Sequence, residues 1–539
     1  MRRPVGILPA GPAAASPEFN VRDFGALGDG RTLDTVALNR AVLAAQAAGG
    51  GTVVLPAGDY LSHSIRLCSH LTLRLDPGAR LIAADPPPPG QVGGYDAPED
   101  APPNIHQDFG HSRFRNSLIW GVDLEHVTVC GPGVIFGRGL SRGNGRVALP
   151  VGQVAPQPPG HLPDVLEADG PVAAEGAGVT PGPFGYPNAL DTLPAGVGNK
   201  ALALKNCRNV LVRDVTILHA GHFAILAAAC DHVTVDNVFI DTNRDGIDID
   251  ACANVRISHC SVNSPWDDGI CVKSSCGFGG LRPVENVTIS DCYVSGFGEG
   301  TLYDGTRDRV IRHRGGPIGR IKLGTEASGG FRNIAISNCV FEFCRGLALE
   351  QVDGAPMEDI VVSNLTMREV MNAPIFIRLG RRLRAPGATA PGTARRIAIS
   401  QVVAYDVAPD HGIFIAGVPG HPVEDVRLDG IQLHSRGGGT AGDARRPVPE
   451  MSDGYPEPML FGVLPAWGVY VRHAARIRLR DVTLRLLQPD QRPAIMLDDV
   501  AGADLAGLRA PGGPAGRWVM LGLHDLRLRD CDGQADVPA

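Results

Sequence analysis

From about residue 200 onward, apolar and polar residues alternate in short runs, and the runs themselves recur. NVLVRDVTI begins at Asn209, HVTVDNVFI at His232, NVRISHCSV at Asn254 and NVTISDCYV at Asn286. NIAISNCVF follows at Asn333, DIVVSNLTM at Asp359, RIAISQVVA at Arg396, DVRLDGIQL at Asp425 and RIRLRDVTL at Arg476; an earlier copy, HVTVCGPGV, begins at His126. Period-two alternation rich in Val, Ile and Thr predicts strands, and the polar residue inside each phrase predicts a turn between two of them. The tightest spacings are 23 residues (209 to 232) and 22 residues (232 to 254). A unit of that size cannot bury its apolar face alone, whereas stacked copies can. Ten or more such units with no helices between them predict an all-β chain, a right-handed parallel β-helix. A β-propeller would need units of roughly 40 residues, and a β-sandwich would not repeat so many parallel-like copies.

One helical signal stands apart. TLDTVALNRAVLAAQAAGGG, residues 32–51, offers Asp34 or Thr32 as N-cap and a glycine stop. It is expected to be a capping helix over the open N-terminal end of the stack, where bare strand edges would invite pairing with other chains. The organisation expected is a leader or signal remnant over 1–17 and a single β-helix domain over 18–539. Three insertions interrupt it, at 140–198, 295–316 and 434–460. The first is rich in Pro and Gly, fits no repeat, and is expected to wall one side of a cleft.

Composition narrows the function. The 539 residues carry a net charge of −7 and no basic tract, which argues against nucleic acid and anionic membrane as partners. No apolar run approaches the roughly 20 residues of a membrane span. Gly (69) and Pro (44) suit many tight turns. The twelve cysteines are spread along the chain; Cys207, Cys260, Cys292 and Cys339 sit inside apolar alternations and read as small buried thiols rather than zinc ligands. The opening MRRPVGILPAGPAAASPEF reads as either the remnant of a secretion signal or an unstructured leader.

The repeat explains the acids. Asp245 and Asp267 are 22 residues apart, one coil. Adjacent parallel strands lie about 4.8 Å apart, so stacking brings Asp245 beside Asp267 and Asp268. Clustered carboxylates repel, and at least one then keeps its proton near neutrality. That is an arrangement for general acid and base work, as glycoside hydrolysis requires. A lone Asp-Gly would instead read as a turn cap. Taking Ile247/Ile249, Ile270/Val272, Ile321/Leu323, Leu347/Leu349 and Ile375/Ile377 as inward, the outward residues are Asp248, Cys271/Lys273, Arg320/Lys322, Ala348/Glu350 and Phe376/Arg378. Two of the chain's four lysines fall on this face. The cations form either a subsite for an anionic sugar or mutual surface pairs with Glu350. His222, Tyr470 and His473 are further candidate sugar contacts.

These residues resemble a family. Asn243-Arg244-Asp245-Gly-Ile-Asp is similar to the Asn-Thr-Asp-Gly motif of the pectin-cleaving polygalacturonases, glycoside hydrolase family 28. Trp266-Asp267-Asp268-Gly-Ile-Cys resembles their Gly-Asp-Asp-Cys-Ile motif, and GRIKLGTEASGG from Gly319 resembles the strand after their active-site His. FNVRDFGALGDG near the N-terminus is similar to the start of many pectin-active β-helices. The resemblance covers about residues 18–500. It implies Asp267 as general acid, Asp245 and Asp268 as activators of the attacking water, inversion at the anomeric carbon, and no metal or other cofactor. There are three departures. Arg244 stands where the family has Thr, Ile318 falls where it has His, and Ala348-Leu349-Glu350 falls where it has the Arg-Ile-Lys that grips galacturonate.

The expectation is a secreted or periplasmic, monomeric, inverting hydrolase of a pectin-related, uronic-acid-containing polysaccharide or oligosaccharide, rhamnogalacturonan-like or exo-acting. His222, Arg244, Lys273, Arg320, Lys322, Glu350 and Arg378 are its expected substrate contacts. Two alternatives stay open at this stage. One is a polysaccharide lyase, with the acids as Ca²⁺ ligands and Lys322 or Arg320 as base. The other is a non-catalytic carbohydrate-binding β-helix.

Overall fold

A computed structural model describes residues 17–88, 91–100, 112–141, 193, 195–311 and 316–537. Most of the 140–198 insertion, part of the 295–316 insertion and nearly all of the leader lie outside the described residues.

The phrase structure seen in the sequence is the coil structure. The polar residue that opens each phrase is a left-handed turn residue: His126, Asn209, His232, Asn254, Asn286, Asn333, Asp359, Arg396, Asp425 and Arg476 all have φ between 51° and 61°. Asn and Asp tolerate this region better than other non-glycine residues. A second left-handed residue breaks each phrase, for example Asp214 (φ 59°), Asn237 (51°), His259 (54°) and Asn338 (55°). The two turns bend the chain around a coil, and successive coils pair in parallel. The register runs Val127, Val210, Val233, Val255, Val287, Ile334, Ile360, Ile397, Val426, one residue per coil. Each of these is at most 3% exposed and belongs to one core that runs the length of the molecule.

The described strands form one 34-stranded sheet whose ladder pairings are parallel. The helix, α1 (Thr35–Ala47), packs Ala37, Leu38, Ala41, Val42 and Ala45 onto the N-terminal end of that core. Asp34 does precede it, but makes no side-chain cap. Its carboxylate instead accepts from the backbone N–H groups of Leu27 and Gly28 at 2.8 and 3.0 Å, tying the preceding loop to the helix start. The twelve cysteines are all free thiols, and all but Cys130 are buried.

One face of the coil carries the site. Its strands are β1 (Phe223–Ala228), β2 (Asp245–Asp250), β3 (Ile270–Ser274), β4 (Ile321–Ala327), β5 (Leu347–Gln351), β6 (Ile375–Leu379), β7 (Ile413–Ala416) and the long β8 (Val469–Leu486). The outward column runs Asp248, Cys271, Lys322, Ala348, Phe376, Phe414, Tyr470, as the alternation predicts. Beyond β4, however, this face does not stay open. The segment between the strand ending at Ser435 and β8 lies across it as a strap. Phe461 and Leu464 of the strap pack on Ala348, Phe376, Phe414 and Tyr470 in a second small core.

Candidate active site

Asp245 opens β2, and Asp268 lies one coil further on, two residues before β3. Each is followed by glycine because the two backbones come close. A Cβ on Gly246 would sit 2.3 Å from the Gly269 carbonyl oxygen, which no side chain tolerates. Both carboxylates are 2% exposed. They and the Cys271 thiol offer atoms within 4.8 Å of one another. Asp267 turns the other way. Its carboxylate stays at the surface of the cleft, 23% exposed, and meets the Arg244 guanidinium at 2.9 Å.

The environments of the two buried acids differ. Asp245 faces burial and the neighbouring carboxylates Asp248 and Asp267, which outweigh Lys273 and Arg244 and push it well above the ordinary aspartate range. Burial pushes Asp268 the same way, but Lys322 and Arg320 outweigh it and hold this carboxyl below its usual value. Arg320 donates to Asp268 from Nε at 2.8 Å, and Lys322 Nζ lies 3.2 Å from it. Near neutrality the pair is therefore a proton-holding Asp245 beside a charged Asp268. Environments that split two neighbouring carboxyls in this way suit acid–base chemistry.

The other residues singled out in the sequence fall into two groups. His222, Arg244 and Lys273 gather at the acids. His222 Nε2 lies 3.1 Å from an Arg244 nitrogen and 4.0 Å from Asp245, with its ring stacked on Phe223. It supplies an imidazole from one coil before Asp245, while Ile318 sits where the family resemblance would put one. Lys273 Nζ bridges Asp248 at 2.6 Å and Asp245 at 3.4 Å. Burial works against its charge, but Asp245 and Asp248 outweigh this and hold it protonated.

Arg320, Lys322, Glu350 and Arg378 form the second group, and it lies beneath the strap. Glu457 from the strap accepts from Arg320, through a very short contact, and from Arg345 at 2.8 Å. Burial raises the Glu457 carboxyl, but Arg320, Arg345 and Lys322 together bring it down to about 2. Lys322 Nζ also reaches the Tyr455 hydroxyl at 3.2 Å. Glu350 lies 3.6 Å from Lys322 and 3.8 Å from Arg320, and burial carries it up to about 7 in spite of both cations. Arg378 donates to the carbonyls of Gly417, Glu450 and Met451, so it holds strap backbone. The cations of the ladder are thus engaged by the chain's own acids and carbonyls. Tyr470 is buried under the same strap, and His473 lies between Asp499 (2.6 Å) and Glu450 (3.1 Å). Glu457, Tyr455 and Arg345 carry no sequence signal. Glu457 is 137 positions from Arg320 and lies on a segment without a repeat.

Comparison with known proteins agrees with this architecture. A family profile described as "Right handed beta helix region" matches residues 200–383, and one described as "Rhamnogalacturonase A/epimerase, pectate lyase-like" matches residues 18–81. The exo-poly-alpha-D-galacturonosidase of Dickeya chrysanthemi is 26% identical over 264 residues, 47% of this chain and 41% of that protein. The mannuronan C5-epimerase AlgE3 of Azotobacter vinelandii is 67% identical over only 43 residues, 8% of this chain and 2% of the epimerase. The chain therefore spans less than half the length of these curated relatives. Among solved structures, the exopolygalacturonase of Thermotoga maritima superposes with a TM-score of 0.54 at 22% identity, covering 78% of this chain and 89% of that one. The family 28 exopolygalacturonase of Yersinia enterocolitica gives a TM-score of 0.57 at 17% identity, covering 97% and 79%.

Proposed function

Starting from a chain that is a right-handed β-helix of the polygalacturonase type, we propose that it is an inverting glycoside hydrolase of a pectin-related, uronate-containing glycan. The observation that carries this reading is the arrangement of three carboxylates. Asp245 and Asp268 lie within 4.8 Å of each other on the floor of the site, and Asp267 lies apart from them at the cleft surface. An inverting enzyme separates its acid and base by about 6.5–9.5 Å so that water fits between sugar and base. The buried pair is too close to be that acid and base. It suits holding one water between two carboxyls, which leaves Asp267 as the proton donor.

The steps follow from the groups present. Charged Asp268 takes a proton from the water, and Asp245 orients that water by hydrogen bonding. The oxygen attacks the anomeric carbon from the side opposite the leaving sugar. Asp267 gives its proton to the glycosidic oxygen as that bond breaks. Lys322 and Arg320 keep Asp268 charged, and Lys273 fixes Asp245 and Asp248. No step calls for a metal.

The strap supports exo attack. It covers the outward face from β5 onward, immediately beyond the coil of Asp268, so a polymer cannot run on across that side. The relatives and neighbours named as exo-acting galacturonosidases are in keeping with this. The test is reducing-end release with product mass on polygalacturonate and on rhamnogalacturonan oligosaccharides, with Asp267→Asn alongside. The expected result is hydrated mono- or disaccharide products from the first minutes, unchanged by chelator and reduced at least about a thousandfold in the variant. Unsaturated, ultraviolet-absorbing products lost on chelation would point to a lyase, and binding without release to a non-catalytic module.

A further inference from the structure

Five cations touch the acid cluster and its continuation, and four of them are locked. The side chains of Lys273, Arg320, Lys322 and Arg345 are 7%, 2%, 3% and 3% exposed, and their partners Asp248, Asp268, Glu350 and Glu457 are buried with them. A substrate carboxylate reaching any of these would have to displace a buried acid. Arg244 differs. Its side chain is 15% exposed and its acid partner Asp267 is 23% exposed, so among the described residues this is the one ion pair of the cluster that faces the cleft. The sequence offers a reason to look here, since Arg244 stands where the resembling family carries Thr, while the family's galacturonate grip is replaced by Ala348-Leu349-Glu350.

We infer that Arg244 is the residue that reads the substrate's carboxylate, and that this reading is coupled to freeing Asp267. The inference rests on the hydrolase reading for what Asp267 then does, but not for the binding itself. A uronate carboxylate replaces Asp267 as the partner of the guanidinium fork, which matches a carboxylate with two parallel hydrogen bonds. One ion pair is exchanged for another, so the cost is small. His222, 3.1 Å from the same guanidinium, holds it over Asp245 during the exchange. Released, Asp267 accepts a proton from solvent and presents it to the glycosidic oxygen. The water's proton goes to Asp268 and later returns to solvent, so the cycle balances. A neutral sugar in the same place leaves Asp267 tied to Arg244.

Because Asp267 and the uronate compete for one group, linkage requires that removing the Asp267 charge tighten uronate binding. The experiment is titration calorimetry of trigalacturonic acid, and of the same trisaccharide with its carboxyls reduced to alcohols, against wild type, Asp267→Asn, Arg244→Gln and the double variant. Asp267→Asn is expected to bind the acid form about tenfold tighter than wild type. Arg244→Gln is expected to bind it at least about tenfold more weakly, and the double variant to show no tightening. The reduced trisaccharide should not distinguish the four proteins. A gain in affinity cannot come from a misfolded variant. If Asp267→Asn binds the acid form no tighter than wild type, or if Arg244→Gln keeps wild-type affinity, the coupling is wrong even where wild type hydrolyses pectic substrates. If the binding pattern holds but wild type releases no reducing ends, the assignment of Arg244 stands and the hydrolase reading falls.

Discussion

Glu457 is the side chain on which the closed side of the cleft depends. Held at about 2 by Arg320, Arg345 and Lys322, its carboxyl lies below the ordinary 4.5. A carboxyl with a lowered folded value contributes stability that is complete above about 4.5 and fades as pH falls toward 2. The size of that contribution is about 3 kcal/mol. Glu457→Gln leaves two buried guanidiniums facing a neutral amide, so it is expected to lower stability by about 3–5 kcal/mol at pH 7. The gap between variant and wild type should narrow below pH 4.5. Denaturant unfolding of both proteins across that range checks it; a constant gap would remove Glu457 from the account. Lys273 is the corresponding group on the acid side. Lys273→Met leaves Asp245 and Asp248 buried together without their shared cation, at a similar cost of about 3–5 kcal/mol, and hydrolysis is expected to fall with it.

At the scale of the coil, the repeat phrase encodes backbone as well as burial. The polar opening residue of each phrase has a positive φ, which explains why Asn, Asp and His recur there and why Val and Ile occupy the positions after it. Asn254, at φ 58°, is a direct test. Asn254→Gly should be close to neutral, whereas a β-branched Val at this φ should cost about 1–3 kcal/mol. Ile257→Ala, on the buried column of the same coil, should cost about 2–5 kcal/mol by leaving a cavity. Thermal or denaturant melts of the three variants should give that order. This regularity is also why so much was legible in the sequence. The coils, their register and the gathering of Asp245, Asp267 and Asp268 all follow from one spacing, since a residue 22 positions along is a neighbour across the sheet. The outward column from Asp248 to Tyr470 was legible for the same reason. The partners of that column were not. Glu457 and Tyr455 arrive on a segment with no period, and nothing local ties residue 457 to residue 320. The end of the helix shows a smaller version of the same limit, since Asp34 stands where a cap belongs but bonds Leu27 and Gly28.

At the scale of the molecule, the β-helix supplies a long face and the strap between 436 and 468 shortens it. Phe461 and Leu464 close the face over β5 to β8, while the three acids remain on the open side. Early products of one or two sugars, with little loss of polymer viscosity, are the expected signature of that shape; rapid viscosity loss would mean that polymer threads past the strap. The central claim is that a buried pair of carboxyls holds water on the face opposite a third. The measurement that tests it most directly is proton NMR of the first product formed from an α-linked galacturonide, before mutarotation. The account predicts that the β anomer appears first and decays toward the equilibrium mixture. The α anomer appearing first would place a nucleophile where the water is drawn, and would contradict the roles given to Asp245, Asp267 and Asp268.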